Sequence, residues 1–283
     1  MEKRSFSFIA LISFTLVLLS FNSCKKEDTN TDTEDPITTT PSYQSATDNS
    51  KAENLFNGAF KQISQYSVVV DTGAKFNTKT YPVLTVSGSG YPKTFTLDYG
   101  TRTLCEDGRT RSGLIITVLS APYLDSTTVI QSHFSNYYET VNNIDYHLNG
   151  THTVVNLGHI NAGHPYYSVK VDSASVVSPS GTIKWNSLRY REFTAGYDTW
   201  FNPFDDAYTI TGTANGIDIN GETFTVNITE GLQVQFGCLY IKAGKIEVIN
   251  PSRPTIYIDY GSGDCDANFT VTINGFTINI VAG

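Results

Sequence analysis

All five histidines lie between His133 and His164, and two of them could share a metal. If Asn149-Gly150 is a two-residue hairpin turn, His147 and His152 face each other on one side of a sheet. Directly opposed residues have Cβ atoms about 4.5–5.5 Å apart, close enough for two imidazoles to hold Zn²⁺ or Cu²⁺. His159 or His164 would complete the site. A turn at Asn142-Asn143 instead makes 144–156 one strand. His147 and His152, an odd number apart, then point to opposite faces and the site disappears. Asp205-Asp206 and the group Asp259, Asp264 and Asp266 could supply oxygen ligands to Ca²⁺, though not at EF-hand spacing; acidic turn residues more often accept from amides. Arg109 and Arg111 could hold a carboxylate or phosphate, or cover apolar surface with their stems. No G-x-S-x-G, H-E-x-x-H, S-x-x-K or P-loop occurs, so no catalytic residues and no cofactor are assigned.

Aromatic residues are the second feature. Tyr137-Tyr138, Tyr166-Tyr167, Tyr197 and the run Trp200-Phe201-Asn202-Pro203-Phe204 fall partly in turn-like contexts. Exposed rings make rigid platforms for sugars or protein partners. The run from Trp200 is too apolar for an idle loop, which makes Trp200, Phe201 and Phe204 candidate ligand contacts.

These residues need a framework, and the pattern names it. From Tyr81 onward apolar residues alternate with polar ones, as in Phe224, Val226 and Ile228 or Phe276, Ile278 and Ile280. Turn signals punctuate the alternation: Asn-Gly at 149–150, 215–216, 220–221 and 274–275, Asp107-Gly108 and Ala243-Gly244. About a dozen strands without intervening helices exclude parallel βαβ units. An all-β domain over 67–283 is expected, a long antiparallel meander forming a sandwich, an open curved sheet or a barrel. Phe95–Gly100 before Cys105 and Tyr257–Gly261 before Cys265 both end in Asp-Tyr-Gly, an echo that suggests two related halves. One amphipathic helix precedes the strands over 46–66, with Ser50-Lys51-Ala52-Glu53 as a capping box and Ala52, Leu55, Phe56, Ala59, Phe60 and Ile63 as its apolar stripe.

The N-terminus gives an address. Lys3 and Arg4, then an apolar run from Phe6 to Phe21, read as an export signal over 1–23. It ends at Ser23-Cys24, where a lipoprotein signal peptidase would cleave and Cys24 would be lipidated. Cleavage removes Glu2, Lys3 and Arg4, so the formal charge of −8 becomes −9. That balance argues against nucleic acid as a partner. Residues 24–45, rich in Thr, Asp and Glu, read as a disordered tether. The exported compartment permits disulfides. Of the three remaining cysteines, Cys238 and Cys265 flank a two-strand unit and form the candidate pair, with Cys105–Cys265 as the competing one.

Cys105-Glu106-Asp107-Gly108-Arg109-Thr110-Arg111-Ser112-Gly113, 191–197, 205–212 and Asp259-Tyr260-Gly261-Ser262-Gly263-Asp264-Cys265-Asp266 together resemble signatures of uncharacterised lipoproteins of the Bacteroidota. The similarity covers roughly Ser45 to the C-terminus and has no activity attached. It implies an all-β lipoprotein and favours the Asn142-Asn143 turn. Lys25-Lys26-Glu27-Asp28 resembles the export signal that sends such lipoproteins to the outer face of the outer membrane; the periplasmic face is the alternative. Asp125-Ser126-Thr127 and Asp172-Ser173-Ala174 resemble O-glycosylation acceptors of those envelopes, which makes Ser126 and Ser173 candidates. The reading that follows is a lipid-anchored envelope protein, touching the membrane through its anchor alone, that binds glycan, lipid or an envelope partner without catalysis. A hydrolase with an unrecognised site and a purely structural component are the alternatives.

Overall fold

The computed structural model describes residues 43–73, 82–105, 107–160, 163–199, 205–235, 238, 240–266 and 268–281. A single compact unit spans Thr40–Gly283. One helix, α1 (Gln44–Thr72), precedes fourteen strands. These are β1 (Val83–Ser87), β2 (Lys93–Asp98), β3 (Thr103–Leu104), β4 (Thr110–Leu119), β5 (Val129–Val141), β6 (Ile144–His159) and β7 (Pro165–Ser178). The second half continues with β8 (Gly181–Ala195), β9 (Ala207–Ile217), β10 (Thr223–Gln235), β11 (Ala243–Ile249), β12 (Ile256–Ser262), β13 (Asn268–Ile273) and β14 (Phe276–Val281). Every strand pairs antiparallel with its sequence neighbour, except that β2 pairs with β4 and the two-residue β3 only caps the end of β4. Of the three architectures the alternation allows, the open sheet forms; its ends, β1 and β14, do not meet.

A single sheet has no second layer to cover its apolar face, and α1 supplies that cover. The helix is longer than the 46–66 expected from its stripe, at both ends. Ser50 and Glu53 do not begin it: Tyr43 is the N-cap, with no side-chain cap. The turn before Ser50 is held by tertiary partners that a local reading cannot see. Ser45 Oγ donates to Asp218 Oδ2 at 2.7 Å, Asp48 Oδ2 accepts from the Ile219 amide at 2.9 Å, and Asn49 Oδ1 accepts from Trp185 Nε1 at 3.0 Å. Ser45, expected in the tether, is therefore buried in the helix. At the other end, Asp71 accepts from Tyr91 Oη and the Tyr123 amide, and Gly73 in the left-handed region closes the helix.

Three of the six Gly-containing turn signals do turn: Asp107-Gly108, Asn220-Gly221 and Asn274-Gly275. The other three lie inside strands, because a glycine that admits close backbone contact serves a bulge as well as a hairpin. Gly150 interrupts the β6–β7 register between Asn149 and Thr151, and a Cβ there would stand 2.8 Å from Ala174 Cα. Gly244 does the same between β10 and β11, and Gly216 makes room for the Phe224 ring. The β5–β6 turn is instead Asn142-Asn143, both with positive φ (50° and 62°), as a type I′ hairpin requires. The Asp-Tyr-Gly echo has one local cause: Asp98 and Asp259 each accept from the glycine amide two residues on, at 2.8 and 2.9 Å. Cys238 and Cys265 form the disulfide, and Cys105 is free. Bridging a 27-residue separation stabilises by about 3–4 kcal/mol, chiefly by restricting the unfolded chain.

The two kinds of glycine separate in experiment. Gly150→Ala, which forces a Cβ onto backbone, is expected to destabilise by about 2–4 kcal/mol. Gly221→Ala, with positive φ but open space around it, is expected to cost about 1–2 kcal/mol. Urea unfolding midpoints of the two variants test the difference.

Candidate binding surface

The candidate metal pair His147 and His152 does not assemble. With β6 running unbroken from Ile144, His152 faces α1 and is buried, while His147 lies on the opposite face, its ring stacked 4.5 Å from Tyr138. His133 and His159 are exposed and far from a common point in the register. Among the described residues no group of three or more His, Cys, Asp or Glu side chains is arranged to hold a metal ion. Asp259 is instead near Lys245 (3.5 Å), and Asp266 accepts from the Asn268 amide.

Arg109 and Arg111 neither await an anion nor simply cover apolar surface. Arg111 is buried, donates from both Nη atoms to Asp107 at 2.7 and 2.8 Å, and from Nε to Tyr137 Oη and Glu139. Burial pulls its guanidinium pKa down, but the Asp107 hydrogen bonds and the Glu139 charge more than offset this and raise it. Arg109 bridges sheet to helix, bonding Glu139 at 2.6 Å and both Asn54 oxygens. From the other side, β8 sends Arg189 to Glu53 at 2.7 Å and Arg191 to Asn57. Asn54 and Glu53 are adjacent on one helical turn, so the sheet grips α1 between β4 and β8. Gly58, odd in a helix, lies where a Cβ would meet Arg109 and Glu139.

Sequence reasoning missed Arg189, Arg191 and the burial of His152. The signal was parity: Ile183, Trp185, Ser187, Arg189 and Arg191 are alternate residues of β8 and all face inward. Two arginines in a strand read as solvent-facing, but the helix opposite them carries Glu53 and Asn57. Burial and the nearby Arg191 charge push the His152 pKa down to about 3, so it stays neutral.

On the face turned away from α1, one end of β7–β10 collects polar side chains in a row. Glu192 on β8 pairs in register with Thr209 on β9, which pairs with Gln233 on β10. His164 Nδ1 lies 2.6 Å from Glu192 Oε1, and the Tyr197 ring lies 5.6 Å from the imidazole. Beside the row, Tyr166 and Tyr190 stack nearly parallel, 10° between planes and 5.8 Å between centroids. A cleft of about 290 Å³ opens at this end of the sheet, its lining polar at Thr194, Thr209, Gln233, Gln235 and Lys242 and apolar at Ala207, Tyr208 and Val234. Lys242 Nζ donates to Gln235 Oε1 at 2.8 Å. Thr199 Oγ1 donates to Asp205 Oδ2 at 2.7 Å, joining the ends of the segment that holds Trp200, Phe201 and Phe204; those three lie outside the described residues. Asp206, beside it, has its pKa raised to about 6 by partial burial and the Asp205 charge.

Both candidate serines are exposed, Ser126 in the β4–β5 connection and Ser173 at a bulge of β7 with φ of 50°. Cys24 lies outside the described residues. No described helix is long and apolar enough to cross a membrane. Comparison with protein-family models, curated proteins and solved structures gave no match.

The buried neutral imidazole makes a signed prediction. The unfolded chain protonates His152 near pH 6.5 while the folded one does not until about 3. Below pH 6.5 the unfolded state therefore binds more protons, and stability falls as pH falls, by about 1.4 kcal/mol per unit from this group. Asp206 acts in the opposite sense between about pH 4 and 6, but equally in both proteins compared. His152→Leu is expected to flatten the acid limb of the stability profile relative to wild type. Parallel acid limbs would contradict the burial.

Proposed function

We propose that the chain is a lipid-anchored envelope protein of the Bacteroidota type, displayed on the outer membrane, whose β domain binds a glycan without catalysis. The observation that carries the binding reading is the cleft beside the row Glu192–Thr209–Gln233. Hydroxyl, carboxamide and ammonium groups with free donors and acceptors suit the hydroxyls of a sugar, and neighbouring flat rings suit its C–H faces. The stacked Tyr166 and Tyr190 supply such rings. Thr199 and Asp205, the described residues on either side of the Trp200–Phe204 run, lie hydrogen-bonded at the same end of the sheet. Strands carry the polar row, so its spacing is set by the hydrogen-bond ladder and little ordering entropy is lost on binding. The anchoring part rests on Ser23-Cys24 and the signal before it, the surface destination on Lys25–Asp28, and O-glycosylation at Ser126 and Ser173 on exposed placement together with motif.

Electrophoresis of the full chain through gels containing soluble xylan, pectin, laminarin or mucin glycans tests the binding reading. Retardation is expected in at least one gel, with Thr209→Val or Gln233→Ala weakening it about tenfold, the loss of roughly 1.4 kcal/mol. Free migration in every gel, or retardation indifferent to both substitutions, would refute it. For the anchor, Cys24→Ser is expected to abolish incorporation of labelled palmitate and release the chain from the membrane fraction; continued labelling would overturn the assignment.

A further inference from the structure

Under α1 the charges do not balance. Arg109 and Arg111 share Glu139 and Asp107, and Arg189 has Glu53. Arg191, 2% exposed, has no carboxylate within ion-pair distance among the described residues. Its compensation is the Asn57 amide oxygen and two rings, Phe60 with its centroid 4.1 Å from the guanidinium carbon and Tyr208 at 5.4 Å. The other charges facing it are Arg189 and Lys61, both positive, and Glu53, already engaged by Arg189. Six buried side-chain nitrogen or oxygen atoms of the described residues lack a hydrogen-bond partner. Four of them belong to three side chains on the helix-facing side of the sheet: Arg191 Nε and both ring nitrogens of His152, whose side chains lie beside the Phe60 ring, and Arg189 Nη1, two residues from Arg191 on the same face of β8. A buried guanidinium and imidazole left unpaired are costly, and here the unpaired donors cluster.

We infer that the unpartnered buried groups of Arg191, Arg189 and His152, beside Phe60 and under α1, form a binding site for one carboxylate group. A single uncompensated positive charge calls for a monoanion, and the protein answers buried Arg111 and Arg189 and half-buried Arg109 with carboxylates. Neutral His152 adds an N–H donor without adding charge. The neighbours in register and in ring contact are apolar and aromatic: Tyr167 opposite Arg191, Val169 opposite Arg189, Val154 opposite Val169, and the Phe60 and Tyr208 rings against Arg191. Such surroundings accept either a small organic acid or the head of a fatty acid whose chain follows the apolar face of the sheet. This site lies on the helix side of the sheet, opposite the polar row, and does not depend on the glycan reading.

The full chain, unfolded and refolded to strip bound molecules, would be titrated with acetate and with decanoate, each ¹³C-labelled at the carboxyl. A bound carboxyl resonance distinct from the free one, and a thermal midpoint raised by several degrees, are expected. Both effects with acetate identify a small acid; effects with decanoate alone identify a fatty acid head. Arg191→Met is expected to lose both effects, and Arg189→Met to weaken binding about tenfold. A diazirine-bearing decanoate should label wild type within residues 56–64 and 189–193, which keeps the test valid if R191M fails to fold. No bound resonance with either acid, an unchanged signal in R191M, or labelling only elsewhere would overturn the site.

Discussion

A fourteen-stranded sheet with nothing opposite it would leave an apolar face in water, and the whole structure depends on one helix preventing that. Phe56, Phe60 and Ile63 of α1 meet Phe134, Trp185, Val154 and their neighbours from strands far apart in sequence. Burying a side chain of that size contributes roughly 1.5–3 kcal/mol, so the helix and the sheet are two halves of one core. The consequence is that α1 must be held in place, and the two ends of the helix are held by polar contacts instead of grease. Asp48, Asn49 and Ser45 bind one end, Asp71 the other.

That arrangement explains why charged residues are inside. Arg109, Arg189 and Arg191 cross the helix–sheet seam to Asn54, Glu53 and Asn57, with Glu139 and Arg111 backing Arg109 from the sheet, and fix its register where apolar contacts alone would let the helix slide or rotate. The bulge at Gly150 lies on β6, between β4 and β8, and an extra residue in one strand bends it. The inner face is thus committed to holding α1, with Arg191 as the unspent charge. The outer face, free of packing duty, is where side chains such as Glu192, Thr209 and Gln233 can be displayed in a row.

How much of this could be read in advance follows a physical line. Alternation along Phe224–Ile228 or Phe269–Ile273 betrays a strand because side-chain direction has period two, and the disulfide followed from two cysteines flanking one strand pair. Asn149-Gly150 misled because the same dipeptide that turns a hairpin also relieves a bulge, and only the partner strand distinguishes them. Arg189 and Arg191 were invisible as core because their burial depends on Glu53 and Asn57, more than 130 positions away.

The sequence by itself determined the all-β class, the antiparallel meander and the helix stripe, since these follow from side-chain periods a few residues long. It also carries the basic-then-apolar run before Ser23-Cys24, on which the anchoring proposal rests. Tertiary structure alone decided which side of β6 each histidine takes, which glycines bend strands, and which arginines are buried under the helix. Those outcomes depend on long-range register, and a shift of one residue would reverse every one of them.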